Sequence, residues 1–318
     1  MNLSNAASGL NGVRPDASQG LAPAPIKAIP VRHYGRWFSA ALIAYLLVAL
    51  AVSLANNQLI HWPTVWEFMF ADLTLDGVKV TIYLTIIAMV IGVVGGTTLA
   101  VMRLSDNFVL SGMAWAYIWF FRGTPQLVQI IFWGFLGSIY PQLFMGIPFT
   151  GVLFGSWDTS RLIGATTAGI LALGLNEAAY AAELVRAGII SVDSGQNEAA
   201  QSLGMSGGMT MRLIVLPQAM RVIIPPMGNE TIYMLKATSL VYVIAGRDLM
   251  TNLQIAAGQN YRTIELLIVA SIWYLALTTL LSIGQHYLEA YFGKGFGAVD
   301  TRRAARRSAR REARHAAA

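Results

Sequence analysis

Six apolar stretches constrain this chain more than anything else in it. They lie near 37–55, 78–102, 113–138, 162–185, 222–245 and 264–288, each of roughly 20–25 residues, about what a helix needs to cross ~30 Å of hydrocarbon. A segment inside lipid must satisfy its own backbone N–H and C=O groups, which leaves helices or a closed barrel. No alternating strand pattern competes. The expected fold is therefore an all-α polytopic membrane bundle of about six transmembrane helices. The third and fifth stretches are less uniform, with Arg122 and Pro125 in one and Lys236 in the other. Charged residues are only 12% of the 318, too few to cover a soluble surface of that length.

Lys and Arg in short loops set the expected orientation. Arg14, Lys27, Arg32 and Arg36 precede the first stretch, and Arg186, Arg212 and Arg221 fall after an even number of crossings. Arg302, Arg303, Arg306, Arg307, Arg310, Arg311 and Arg314 follow the last one. Both termini are expected in the cytoplasm of a multi-pass protein of the cell inner membrane. Glu67, Asp72 and Asp76, between the first two helices, face outward. Residues 1–36 read as a disordered cytoplasmic tail and not as a signal peptide. Residues 291–318 read as a basic cytoplasmic tail. The net charge of +6 thus reports topology and lipid contact, not a nucleic-acid surface.

Several chemistries are excluded by sequence. The chain has no Cys, so disulfides, thiolate metal sites and thiol nucleophiles are ruled out. It has no G-x-x-x-x-G-K-[ST] phosphate loop, no H-E-x-x-H and no G-x-S-x-G at a strand-to-helix turn. The four histidines, at 33, 61, 286 and 315, have no metal-ligand spacing. No catalytic residue, metal or resident cofactor is expected on this chain.

The hydrophilic stretch 186–221 is the most informative. It contains Glu198-Ala199-Ala200, then three residues, Gly204, nine residues, Ile214, one residue, and Leu216-Pro217. The composition predicts two short helical pieces broken at the glycine-rich bend Gly204–Gly208 and stopped by Pro217. This pattern resembles the permease subunits of binding-protein-dependent ABC importers, whose Glu-Ala-Ala…Gly…Ile-x-Leu-Pro signature it meets at every position. The resemblance covers about 77–290 and is similar to the polar amino acid branch. Its carriers are Thr81-Ile82-Tyr83-Leu84-Thr85, Phe121-Arg122-Gly123-Thr124-Pro125, Ala179-Tyr180-Ala181-Ala182-Glu183-Leu184-Val185-Arg186, and Pro226-Met227-Gly228-Asn229-Glu230 through Leu235-Lys236-Ala237-Thr238-Ser239-Leu240.

That resemblance implies a permease moving a polar amino acid by alternating access, with 186–221 as its coupling loop. It implies two copies of an ATPase subunit that use the ATP, a second permease subunit, identical or related, and an extracytoplasmic solute-binding protein. Many members of the branch have five helices, so 37–56 is expected to be an added one. An ion-gradient secondary transporter is the rival reading. Such folds usually show repeated halves, and this sequence shows none.

Charges within spans mark the candidate solute site. Pro125 has no N–H for the carbonyl of Phe121, so the third helix should break there, as transporter helices do at midplane sites. Arg122 at the break is either a bidentate clamp for a substrate carboxylate or a structural partner of a neighbouring Glu. Thr124 adds a hydroxyl. On the fourth helix Asn176, Tyr180 and Glu183 share one stripe. Glu177 beside it is a candidate for a substrate ammonium, and Glu183 for either the substrate or an ion pair with Arg186. On the fifth, Asn229, Tyr233 and Lys236 form a stripe flanked by Glu230, and Lys236 is alternatively a neutralising partner. Gly92 and Gly96 have the small-xxx-small spacing of close helix packing.

Overall fold

The computed structural model describes residues 34–147 and 153–292. Most of both expected tails, 1–33 and 293–318, lies outside the described residues. The chain divides into two units, 1–58 and 59–318. In the first, α1 (Tyr34–Ala55) is a 22-residue helix without a charged residue after Arg36, long and apolar enough to span a membrane.

The second unit begins with the short helix α2 (Trp62–Met69) and continues into α3 (Asp72–Arg103). Asp72 in the first turn and Arg103 in the last match the helix dipole. Asn107 caps α4 (Phe108–Gly123) by accepting from the N–H groups of Val109 and Leu110. The chain breaks at Thr124-Pro125 and resumes as α5 (Gln126–Gly134) and one turn, α6 (Leu136–Ile139). Next comes an antiparallel hairpin of β1 (Gln142–Gly146) and β2 (Leu153–Asp158). After the turn α7 (Thr159–Leu162) runs α8 (Ala165–Ile190), then α9 (Ser194–Ser202) and α10 (Gly207–Thr210). A π-turn, Met211–Val215, leads into α11 (Leu216–Ala237), which tightens to a 3₁₀ segment, Thr238–Ile244. Finally α12 (Leu249–Asn260) folds back along α3, and α13 (Thr263–Phe292) closes the unit.

Helix α3 packs on α8 over its whole central length. A Cβ on Gly96 would stand 2.8 Å from the Ala182 nitrogen and 2.9 Å from the Ala178 oxygen, and one on Gly92 would overlap the Glu177 side chain. Gly174 meets Ile91 in the same register, so the two helices run parallel. Parallel neighbours require an odd number of crossings between them, and α4 to α6 supply it as a single broken span. Four described helices are long and apolar enough to cross a membrane by themselves: α1, α3, α8 and α13. The broken α4–α5 and the more polar α11 with its 3₁₀ end complete the six expected.

Helix α11 runs antiparallel to α8, with Gly188 against Ile223 at one end and Gly169 against Val241 at the other. Arg103, Arg186, Arg212 and Arg221 gather toward the end that carries α9 and α10. The hairpin, α2 and α12 lie toward the opposite end, where Trp273 donates to the Met69 carbonyl at 2.9 Å and the Glu265 carboxylate accepts from the His61 N–H, also at 2.9 Å.

Two details differ from the sequence reading. Pro217 does not stop the second helical piece. The backbone widens to a π-turn, Leu216 donates to Met211 five residues back, and the helix passes through the proline with its missing donor absorbed. The hairpin adds two strands to an otherwise helical fold. Its strands carry apolar residues on both faces, so no period of two marked them.

The seam predicts a measurable cost. Gly96→Val overpacks a crossing with no room for a Cβ and should remove about 1–3 kcal/mol of stability. Thermal unfolding of the purified protein in detergent should show a clear fall in midpoint. An unchanged midpoint would contradict the packing.

Candidate functional site

The break in the third span organises the interior. Pro125 leaves the Phe121 carbonyl without its helical donor, and two side-chain amides replace it. Gln129 Nε2 and Asn176 Nδ2 each donate to that oxygen at 3.0 Å. Gln129 also donates to the Thr124 hydroxyl at 2.7 Å, and its own Oε1 accepts from Asn176 at 3.2 Å. The Thr124 hydroxyl in turn donates to the Phe120 carbonyl at 2.9 Å. The Phe120 and Phe121 carbonyls and the Thr124 hydroxyl are thus held, as a buried polar network requires, while Gln126 Nε2 at the same break has no partner among the described residues. Thr124 is committed to this network.

Arg122 sits at the edge of the break with its guanidinium 5.2 Å from the centre of the Tyr180 ring. It is exposed in the isolated chain and has no carboxylate within 4 Å among the described residues. Glu230 on α11 lies within its electrostatic reach, and Glu230 in turn interacts with Glu177. Tyr233 belongs to the same cluster and donates to Gln126 Oε1 at 3.0 Å, joining α11 to the start of α5. Arg122, Tyr180, Glu230 and Tyr233 therefore converge from three spans.

Glu177 stands behind them. It is 1% exposed, its methylenes lie on Gly92, and its Oε1 has no hydrogen-bond partner among the described residues. A carboxylate so placed costs several kcal/mol unless something pairs with it. Glu183 is not part of the cluster. It accepts from Arg186 at 2.7 Å, one turn along the same helix, the ion pair read as its alternative role. Asn229 and Lys236 share the exposed face of α11 with Tyr233.

The sequence reading passed over Gln126 and Gln129. Two glutamines three apart, directly after a proline in an apolar helix, were the available signal: a broken helix needs amides at its break.

The 194–217 segment forms a second feature. Asp193 caps α9 through the Gly195 N–H at 2.7 Å. At its other end Gly204 N–H reaches the Gln201 carbonyl at 2.9 Å and Met205 N–H reaches the Ala200 carbonyl at 3.1 Å. This is a Schellman end, and Gly204 holds its left-handed position at φ +77°. Glu198 and Ala199 are exposed, Ala200 is buried, Ile214 is half-buried, and Leu216 and Pro217 are exposed. Leu203, Met209 and Leu213 also stand exposed at this end.

Residues 88–293 match the family of binding-protein-dependent transport system inner membrane components. The chain belongs to that family. Among its relatives, the arginine transport system permease protein ArgU of Corynebacterium glutamicum is 46% identical over 275 residues, 86% of this chain and 85% of that one. The glutamate/aspartate import permease protein GltK of Escherichia coli O6:H1 is 35% identical, over 68% of this chain and 91% of its own. A crystal structure of an amino acid ABC transporter with histidines matches with a TM-score of 0.57 and 38% identity, covering 69% of this chain and 94% of that one. An inward-facing methionine transporter, MetNI, matches at TM-score 0.53 and 18% identity over 72% of this chain and 98% of its own, a likeness of fold alone. As a member of this family the chain is a membrane permease component and is not itself catalytic.

Proposed function

We propose that this permease carries a cationic or polar amino acid across the inner membrane by alternating access, driven by ATP on a separate subunit. The observation that carries the substrate reading is the cluster at the broken span. An amino acid presents a carboxylate and an ammonium, and a basic one adds a second cation. Arg122 supplies a fork for the carboxylate. Glu177 and Glu230 supply anions, and Glu177 keeps a buried oxygen unpartnered. Tyr180 and Tyr233 add ring faces and hydroxyls. The cluster lies at the exposed side of α8 and α11 in the single chain, which suits a path shared with a second permease subunit. The name of the 46% identical relative, an arginine permease, supports the cationic choice.

The coupling reading rests on the 194–217 segment. It stands at the Arg-rich end, which the positive-inside rule assigns to the cytoplasm together with both termini. Its exposed Leu203, Met209 and Leu213 suit a groove on an ATPase. Two such subunits would use the ATP, and a solute-binding protein would deliver substrate at the opposite end.

Two variants separate the two parts. Glu177→Gln keeps shape and removes charge. It should raise the half-saturation concentration for arginine uptake tenfold or more, about 1.4 kcal/mol, while basal ATP hydrolysis by the assembled transporter remains. An unchanged half-saturation concentration would remove Glu177 from the site. Gly204→Asp forces a side chain into the left-handed position and adds a charge at the docking bend. It should abolish uptake while membrane insertion, followed by fractionation, survives. Wild-type uptake by the inserted variant would rule out this segment as the docking element.

A further inference from the structure

We propose that the β1–β2 hairpin inserts its side chains into the lipid–water interface of the leaflet from which it emerges. The strands follow directly on the α5–α6 span. Thr159 fixes their base, its N–H donating to the Pro141 carbonyl at 3.1 Å and its hydroxyl to the Tyr140 carbonyl. Beyond that clamp the main contacts of the two strands, among the described residues, are with each other and then with α7.

Both faces of the ladder are apolar. Met145 and Trp157 point to one side, with the Trp157 ring folded over Gly155. Phe144 points to the other and is 60% exposed, and Phe154, at the register shift between the strands, is 68% exposed. From Gly123 to Trp157 the sequence contains no Asp, Glu, Lys or Arg. A soluble partner docking on one face would leave the other in water. A leaflet covers both at once, and an uncharged segment meets no penalty there. The committed occupant is therefore lipid.

Depth is limited by the backbone. A two-stranded ladder keeps unpaired N–H and C=O groups along its outer edges, which hydrocarbon does not tolerate. The headgroup region supplies water to those edges and is where Trp rings settle. A lone hairpin is also marginal in water, so the interface stabilises the element it covers.

The chain contains no Cys, so single labelling sites can be introduced cleanly. Met145→Cys and Phe144→Cys place spin labels on opposite faces, and Asp106→Cys places a reference label in the exposed α3–α4 turn. The experiment is EPR power saturation on the full chain in lipid nanodiscs, with oxygen and an aqueous nickel chelate as relaxants. Both hairpin labels should be relaxed more by oxygen than by the chelate, with the order reversed at residue 106. Chelate access at either hairpin site equal to that at 106 would place that face in water and overturn the proposal. Labels immobilised and shielded from both relaxants would show a protein contact instead, with the same consequence.

Discussion

The close approach of α3 and α8 is the constraint on which the rest of the bundle depends. Without side chains at Gly92 and Gly96, and with Ala178, Ala181 and Ala182 opposite, the two helices touch along their backbones. In lipid there is little hydrophobic drive between helices, so dispersion at such seams holds them together. The register then fixes everything α8 carries. Asn176 meets the broken third span, Tyr180 meets Arg122, and Glu177 is pressed onto Gly92. A shift of one residue would take Glu177 off Gly92 and leave the Phe121 carbonyl without one of its donors.

The second consequence is a break that is stable because it is supplied. A proline in a span normally leaves a carbonyl unsatisfied at a cost of several kcal/mol in hydrocarbon. Here Gln129 and Asn176 meet that demand, so the distortion persists and places Arg122 beside the Tyr180 ring and within electrostatic reach of Glu230. The carbonyl freed at the break is satisfied, whereas Glu177 Oε1 in the proposed site is not.

Much of this was legible in the sequence. Spans of the right length, the kink at Pro125, the stripe Asn176-Tyr180-Glu183 and the glycine seam follow from helical periodicity and proline chemistry. Less visible was what each polar side chain chooses as partner. Glu183 selects Arg186 on its own helix, while Thr124 is taken by Gln129, whose distance in space depends on the break itself. The π-turn before Pro217 was hidden because a proline signals a missing donor but not how the backbone absorbs it. The hairpin escaped because strands apolar on both faces lose the alternation that betrays a strand. Gly204 shows the opposite case: the Schellman end at φ +77° explains why the spacing after Ala200 demands a glycine.

The central claim is that this bundle works as an ATP-driven permease. It is tested most directly by reconstituting the chain with its ATPase and solute-binding protein in liposomes and following labelled arginine. The account predicts uptake that needs ATP on the side of the 194–217 segment and persists when proton and sodium gradients are collapsed. Uptake that follows an ion gradient without ATP would contradict it.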